Sequence, residues 1–174
     1  NVSTDLNGQV AFVTGTTSGL GKRFAKVLAA CGAKVVATGR RVDRLEALAE
    51  EIRADGGICE PIAIDMTSRE SIRAALVEAE ARLGTVQILI NNAGIPDAER
   101  AIKMSDELTD AVFDTNLKGP WVLSCEVARR LIEQKMRGRI VNIASVAAFN
   151  ISGAIATTLY STTKSAVVRM TESH

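Results

Sequence analysis

The chain has 174 residues, close to one domain's worth, with 47% hydrophobic and 24% charged residues and a formal net charge of +1. That balance excludes electrostatic steering to nucleic acid or an anionic membrane, and an aromatic content of 3% argues against a base-stacking surface. Three scattered cysteines, Cys31, Cys59 and Cys125, show no CxxC spacing, so buried thiols of a cytoplasmic protein are expected rather than a disulfide framework or a zinc site. No run of about 18 apolar residues occurs, so no membrane span is expected.

Short Val- and Ile-rich runs alternate with longer segments of helical spacing. Val10–Val13 reads as a strand, and Leu20–Cys31 as a helix with Leu20, Phe24, Val27, Leu28 and Cys31 on one face. Lys34–Thr38 is the second strand. Val42–Ala54 is the second helix, with Leu45, Leu48, Ala49 and Ile52 inward. Cys59–Ile64 is the third strand. Ser68–Leu83 is the third helix, with Ile72, Ala75, Leu76, Ala79 and Leu83 on one face and Ser68 or Ser71 as its cap. Val86–Ile90 is the fourth strand, Ser105–Met136 a long helical stretch broken near Gly119-Pro120, and Arg139–Ile143 the fifth strand. A last helix starts near Leu159–Tyr160. All five apolar runs read as strands buried on both faces. The order predicts an α/β fold, a doubly wound parallel sheet of Rossmann type in one domain over residues 1–174. Strands one to five are present. A sixth is not, so the chain is expected to be incomplete at its C-terminus.

The first strand leads into Thr14-Gly15-Thr16-Thr17-Ser18-Gly19-Leu20-Gly21. Gly15, Gly19 and Gly21 allow a sharp turn and close backbone approach to a pyrophosphate. The helix start then offers free N–H groups and a positive dipole. Thr16, Thr17 and Ser18 can add hydroxyl donors. No Lys-Ser or Lys-Thr follows the last glycine, so this is not a nucleoside-triphosphate loop. The second strand ends in Arg40 and Arg41, where the adenosine ribose is expected. Two cations and no acid before Asp43 favour NADP(H) over NAD(H); the bland reading is a solvated basic pair, poorly placed against a helix dipole.

Further along, Asn91-Asn92-Ala93-Gly94 ends the fourth strand, Ser145 follows the fifth, and Tyr160 and Lys164 form Y-x-x-x-K. On a helix these last two share a face. An ammonium beside a phenol favours the phenolate, which makes Tyr160 a usable general acid/base. Tyr160 is the only Tyr in the chain.

Taken in order, these motifs resemble the classical short-chain dehydrogenase/reductase family, over the chain from about Leu6 onward. TGTTSGLG resembles the family's cofactor turn, with Gly15, Thr17, Ser18, Gly19, Leu20 and Gly21 as contacts. Asp65-Met66 resembles its adenine contact, although Asp65 could equally cap the next helix. NNAG matches the family's cofactor wall. Within it Asn92 and the Ala93-Gly94 backbone are favoured for the ligand, and Asn91 for tying strands together.

The resemblance implies an oxidoreductase that moves a hydride between NADP(H) and a ketone or secondary alcohol. Ser145 would hold the substrate oxygen and Tyr160 would give or take the proton. Lys164 would lower the Tyr160 pKa and bind the nicotinamide ribose. Asn116 would hold a relay water; its alternative is a turn residue before Gly119-Pro120. No metal is implied, and the single histidine, His174, supports none.

Two features depart from the family. The segment from Val146 to Leu159 is about two residues longer than is common. Its Phe149, Ile151, Ile155 and Leu159 suggest an apolar pocket wall or plain packing. Relatives also run well past His174. The resemblance further implies a homodimer or homotetramer through the Ser105–Met136 helix and the Tyr-bearing helix. Val122, Leu123, Val127 and Leu131 would suit that interface or a monomer core equally. The other functional reading is a non-catalytic dinucleotide-binding module or an inactive reductase fragment. The intact Ser145, Tyr160 and Lys164 favour the enzyme.

Overall fold

The computed structural model describes residues 5–97, 99–150 and 157–173. Five parallel strands form one sheet in the order β3-β2-β1-β4-β5. They are β1 (Val10–Thr14), β2 (Lys34–Gly39), β3 (Ile58–Ala63), β4 (Val86–Asn91) and β5 (Arg139–Asn142). The helices are α1 (Gly19–Ala30), α2 (Val42–Ala54), α3 (Arg69–Leu83), α4 (Asp106–Phe113), α5 (Gly119–Glu133) and α6 (Thr158–Ser173). Each expected strand and helix is present, with ends shifted by up to three residues.

Two expectations need correction, and one open alternative is decided. First, only the inner strands are buried along their length. β3 lies at one edge and leaves Ile58 50% exposed; β5 lies at the other and leaves Val141 45% exposed. An edge strand has a neighbour on one side only, so less of its backbone and side chains is covered.

Second, α1 buries its expected stripe only in part: Phe24 and Leu28 are half-buried against the core. Leu20 and Val27 are exposed, whereas Gly21, Ala25 and Ala29 face the sheet. Ala25 and Ala29 pack with Ala11, Ala33 and Ala37. Small residues let the helix axis come close to the strands, so the buried face is rotated by one residue from the one a search for large side chains picks out.

Third, Val122, Leu123, Val127 and Leu131 belong to this chain's own core, with Phe12, Leu76 and Leu89. They are not available to a partner.

The expected break in the long helix is a π-turn at Asp114–Lys118, which separates α4 from α5. Pro120 lacks the N–H that would continue the ladder. Gly119 admits no side chain, because a Cβ there would lie 2.5 Å from the Met66 carbonyl oxygen. Ser68, not Ser71, caps α3 by accepting from the Ser71 N–H at 3.2 Å.

α3 and α5 are joined by ion pairs around Glu126, which is 7% exposed. Arg130 contacts it at 2.8 Å, Arg73 at 3.0 Å and Arg129 at 3.1 Å. The Arg130 hydrogen bond, then Arg73 and Arg129, hold its carboxyl at about 2, against a reference value of 4.5. The stabilisation is therefore complete above pH 4.5 and lost as pH falls toward 2. The full shift corresponds to about 3 kcal/mol, and solvent around the more than half-exposed Arg73 and Arg129 reduces it to roughly 1–2 kcal/mol. Urea unfolding of Glu126→Gln should show that deficit at pH 6 and almost none at pH 2.5. A pH-independent deficit would exclude the ion pairs as its cause.

Candidate active site

All five parallel strands point their carboxyl ends to the same end of the sheet. Between β1 and β4 the strand order reverses, which opens a crevice at their carboxyl ends. Two clefts occupy it and share Asn92, Gly94 and Ile95.

The larger cleft has a volume of about 580 Å3 and runs from the Gly-rich turn to the loops after β2 and β3. Gly15, Thr17 and Ser18 form one wall, and Arg40, Arg41, Asp65 and Met66 the far end. Asn92, Ala93 and Gly94 close the near side. Gly15 has a φ of 71°, and a Cβ there would lie 2.9 Å from the Ala93 Cα, so the turn requires glycine twice over. Ser18 precedes α1 and makes no capping bond with its side chain, which leaves the helix start open toward the cleft. Open N–H groups and a backbone that can be approached closely suit a pyrophosphate. Gly21 does not line the cleft; it is packed behind, against the Gly15 carbonyl. Gly19 faces open space.

The hydroxyls of the turn divide their work. Thr16 turns inward, and both its N–H and its hydroxyl donate to the Thr38 carbonyl, so it offers nothing to a ligand. Thr17 accepts from the Arg41 guanidinium at 2.5 Å, which ties the turn to the end of β2. Thr14 is fully buried; its hydroxyl donates to the Ile90 carbonyl and accepts from the Asn92 and Ala93 N–H groups. The Asn92 side chain donates to the Thr14 and Gly15 carbonyls at 2.9 and 3.2 Å. Asn92 thus holds the turn in place from the side of β4, while still lining both clefts. Asn91 donates to Ser124 Oγ and Asn142 Oδ1, a tie between β4, α5 and β5. Asp65 accepts from the N–H and hydroxyl of Thr67, and these bonds hold its carboxyl below the usual carboxylate range. Its turn precedes the Ser68 cap of α3.

The second cleft, about 430 Å3, brings Ser145, Tyr160 and Lys164 together with Leu20 and Ile143. Ser145 caps a short 3-10 turn, Val146–Ala148, its hydroxyl accepting from the Ala147 N–H at 3.2 Å. Tyr160 and Lys164 sit on successive turns of α6, with the Lys164 Nζ 5.7 Å from the centre of the Tyr160 ring. Lys164 is 4% exposed and donates to the Ile143 carbonyl at 2.6 Å. Burial pushes its ammonium pKa down. The Cβ position at Gly94 lies 3.3 Å from Asn116 Oδ1 and 3.7 Å from Lys164 Nζ, so Gly94 gives both groups room.

Asn116 lies in the π-turn and is buried behind the second cleft rather than lining it. Its Oδ1 accepts from the Ile95 N–H, and its Nδ2 donates to the Ile95 carbonyl and to Thr163 Oγ1. Both ends of its amide are therefore committed to protein. Phe149 is 73% exposed and Leu159 half-buried. Ile151, Ile155 and His174 lie outside the described residues. Among the described residues, no group of three or more His, Cys, Asp or Glu side chains could hold a metal.

Asp97 was not apparent from the sequence. It is 2% exposed, and its Oδ2 accepts from the N–H groups of Leu159 and Tyr160 at 2.8 and 3.0 Å. A partner more than sixty residues away leaves no local signature.

Residues 9–174 match the family described as short chain dehydrogenase. The chain belongs to that family. The chain is 37% identical over 169 residues to the 3-oxoacyl-(acyl-carrier-protein) reductase FabG of Aquifex aeolicus, covering 97% of this chain and 67% of that protein. Among solved structures, it is similar to a short-chain type dehydrogenase/reductase from Mycobacterium marinum, with a TM-score of 0.94, 33% identity and coverage of 98% and 67%. It is also similar to a metagenomic short-chain oxidoreductase in complex with NADP, with a TM-score of 0.89, 36% identity and coverage of 97% and 75%. The chain spans 54–71% of the length of the curated relatives named as similar to it. No described helix is long and apolar enough to cross a membrane.

Proposed function

We propose that the protein is an NADP(H)-dependent oxidoreductase that interconverts a ketone and a secondary alcohol. The observation that carries this reading is the convergence of Ser145, Tyr160 and Lys164 on one cleft that opens into the Gly-rich one. Bound NADP(H) would supply or accept the hydride. Ser145 orients the substrate oxygen by hydrogen bonding. Tyr160 gives a proton to that oxygen in reduction and takes one in oxidation. The Lys164 ammonium stabilises the negative charge that develops on the Tyr160 oxygen. Asn116 keeps the Ile95 segment and α6 in register beneath these groups.

Arg40 and Arg41 support the phosphorylated cofactor. Arg41 stands at the N-cap of α2, where a cation opposes the helix dipole. An anion between the two guanidiniums would offset that cost. The similar structure that holds NADP is consistent with this choice. The three cysteines carry free thiols, which suits a reducing compartment. A homo-oligomer through α4 and α5 would use the exposed Phe113 and Ile132 rather than the core residues of α5.

The test is a panel of ketones followed by NADPH oxidation, with NADPH and NADH affinities measured alongside. NADPH should bind about 10- to 100-fold more tightly than NADH, the range expected for charge-assisted bonds to one phosphate. Arg40→Asp should remove most of that difference. Equal affinities in the unaltered protein would sink the NADP(H) assignment, and a panel without turnover would sink the oxidoreductase.

A further inference from the structure

The helix that carries Tyr160 and Lys164 is capped by a residue from another part of the chain. In α6, Leu159 and Tyr160 are the second and third residues, whose N–H groups a side chain at the preceding position usually satisfies. Thr157 occupies that position, but its hydroxyl lies 3.3 Å from Ser161 Oγ instead. Asp97, in the loop after β4, takes both N–H groups with one carboxylate oxygen. Its other oxygen, Oδ1, is buried and has no hydrogen-bond partner among the described residues. A buried carboxylate with an idle oxygen is costly to keep. An ordinary Thr or Ser cap would satisfy the helix at lower cost.

What the Asp97 arrangement adds is a fixed link between two pieces of the site. Asp97 follows the Gly94–Pro96 segment, which lines the second cleft, and it holds the backbone of Tyr160 itself. Asn116 and Thr163 make the same connection one turn further along α6. Without Asp97, the first turn of α6 would carry Tyr160 on an uncapped end at the close of the long Val146–Leu159 segment. Helix ends lacking a cap fray, and a phenol displaced by about 1 Å from the reacting oxygen loses roughly two orders of magnitude in rate.

We propose that Asp97 is a positioning residue for Tyr160: its carboxylate replaces the local cap of α6 and locks the proton-transferring phenol to the wall of the substrate cleft. This rests on the oxidoreductase reading above.

The experiment compares Asp97→Ala and Asp97→Asn with the unaltered protein. Asp97→Ala should lower kcat by about 10- to 100-fold, with the NADPH Kd unchanged within about threefold, because the Gly-rich cleft is untouched. The amide exchange protection of Leu159 and Tyr160 should fall in the same variant. Asp97→Asn keeps an acceptor oxygen for both N–H groups and should recover kcat to within about threefold. An Asp97→Ala enzyme with unaltered kcat overturns the proposal, as does an Asn variant as impaired as Ala. Should Asp97→Ala fail to fold, Asp97→Asn decides the matter: it must protect both amides and turn over. If the unaltered protein reduces no ketone, the oxidoreductase reading fails. The positioning role in catalysis then falls with it, and exchange at Leu159 and Tyr160 reports on the cap alone.

Discussion

Tyr160→Phe is expected to lower kcat for ketone reduction by about 10^2- to 10^4-fold while leaving the fold and the cofactor cleft intact. The substitution removes one oxygen. The half-buried ring keeps its place, and the backbone N–H of residue 160 still donates to Asp97. Lys164 remains held by the Ile143 carbonyl. No cavity opens, so the change in stability should stay under about 1 kcal/mol. NADPH should bind within about threefold of its normal affinity, since the pyrophosphate end of the cleft is formed by the turn after β1 rather than by α6. Steady-state NADPH oxidation and a fluorescence titration make the comparison. Reduction that survives at more than a tenth of the normal kcat would show that the proton comes from elsewhere.

The second large effect is expected at Gly21. A Cβ there would overlap the Gly15 carbonyl oxygen and approach Asn92 Nδ2 to 2.5 Å. Neither neighbour can retreat. Gly15 is wedged against Ala93, and Asn92 is committed to the carbonyls of Thr14 and Gly15. Gly21→Ala must therefore push α1 away from the turn or break those two bonds, at a cost of about 2–3 kcal/mol. The same shift removes the helix start from the phosphates, and NADPH affinity should fall at least about 100-fold. Gly19→Ala is the control. Gly19 has no atom within 4 Å of the Cβ position and only a φ of 57° to accommodate, so it should cost about 1 kcal/mol. Urea unfolding and cofactor titration of both variants separate overlap from backbone strain. A Gly21→Ala protein that binds NADPH normally would mean the turn is more pliable than the packing implies.

Much of this site is legible in the residues themselves. The turn Thr14–Gly21, the pair Tyr160 and Lys164, and the five strands announce themselves by short-range rules. Glycine permits conformations that other residues resist, i and i+4 share a helix face, and buried parallel strands are continuous apolar runs. The Asn91 tie between strands was also readable, because Asn in an apolar strand needs a polar partner.

Other features depend on distances in space that no local pattern encodes. The one-residue rotation of α1 came from alanines, which carry little weight in a hydrophobic pattern but allow the closest packing. Thr16 and Thr17 are adjacent and chemically alike; β2 decides that one faces inward to Thr38 and the other outward to Arg41. Asn116 could have been a turn residue, and only the approach of the Ile95 segment gave its amide two backbone partners. The alternating α/β order, the Gly-rich turn and the Tyr-Lys pair follow from the residues alone, because these rest on periodicity and on backbone freedom within a few residues. The tertiary structure alone decided which strands are edges, which hydroxyls are left for a ligand, and that Asp97 caps the helix of Tyr160, because each needs groups twenty or more residues apart to meet.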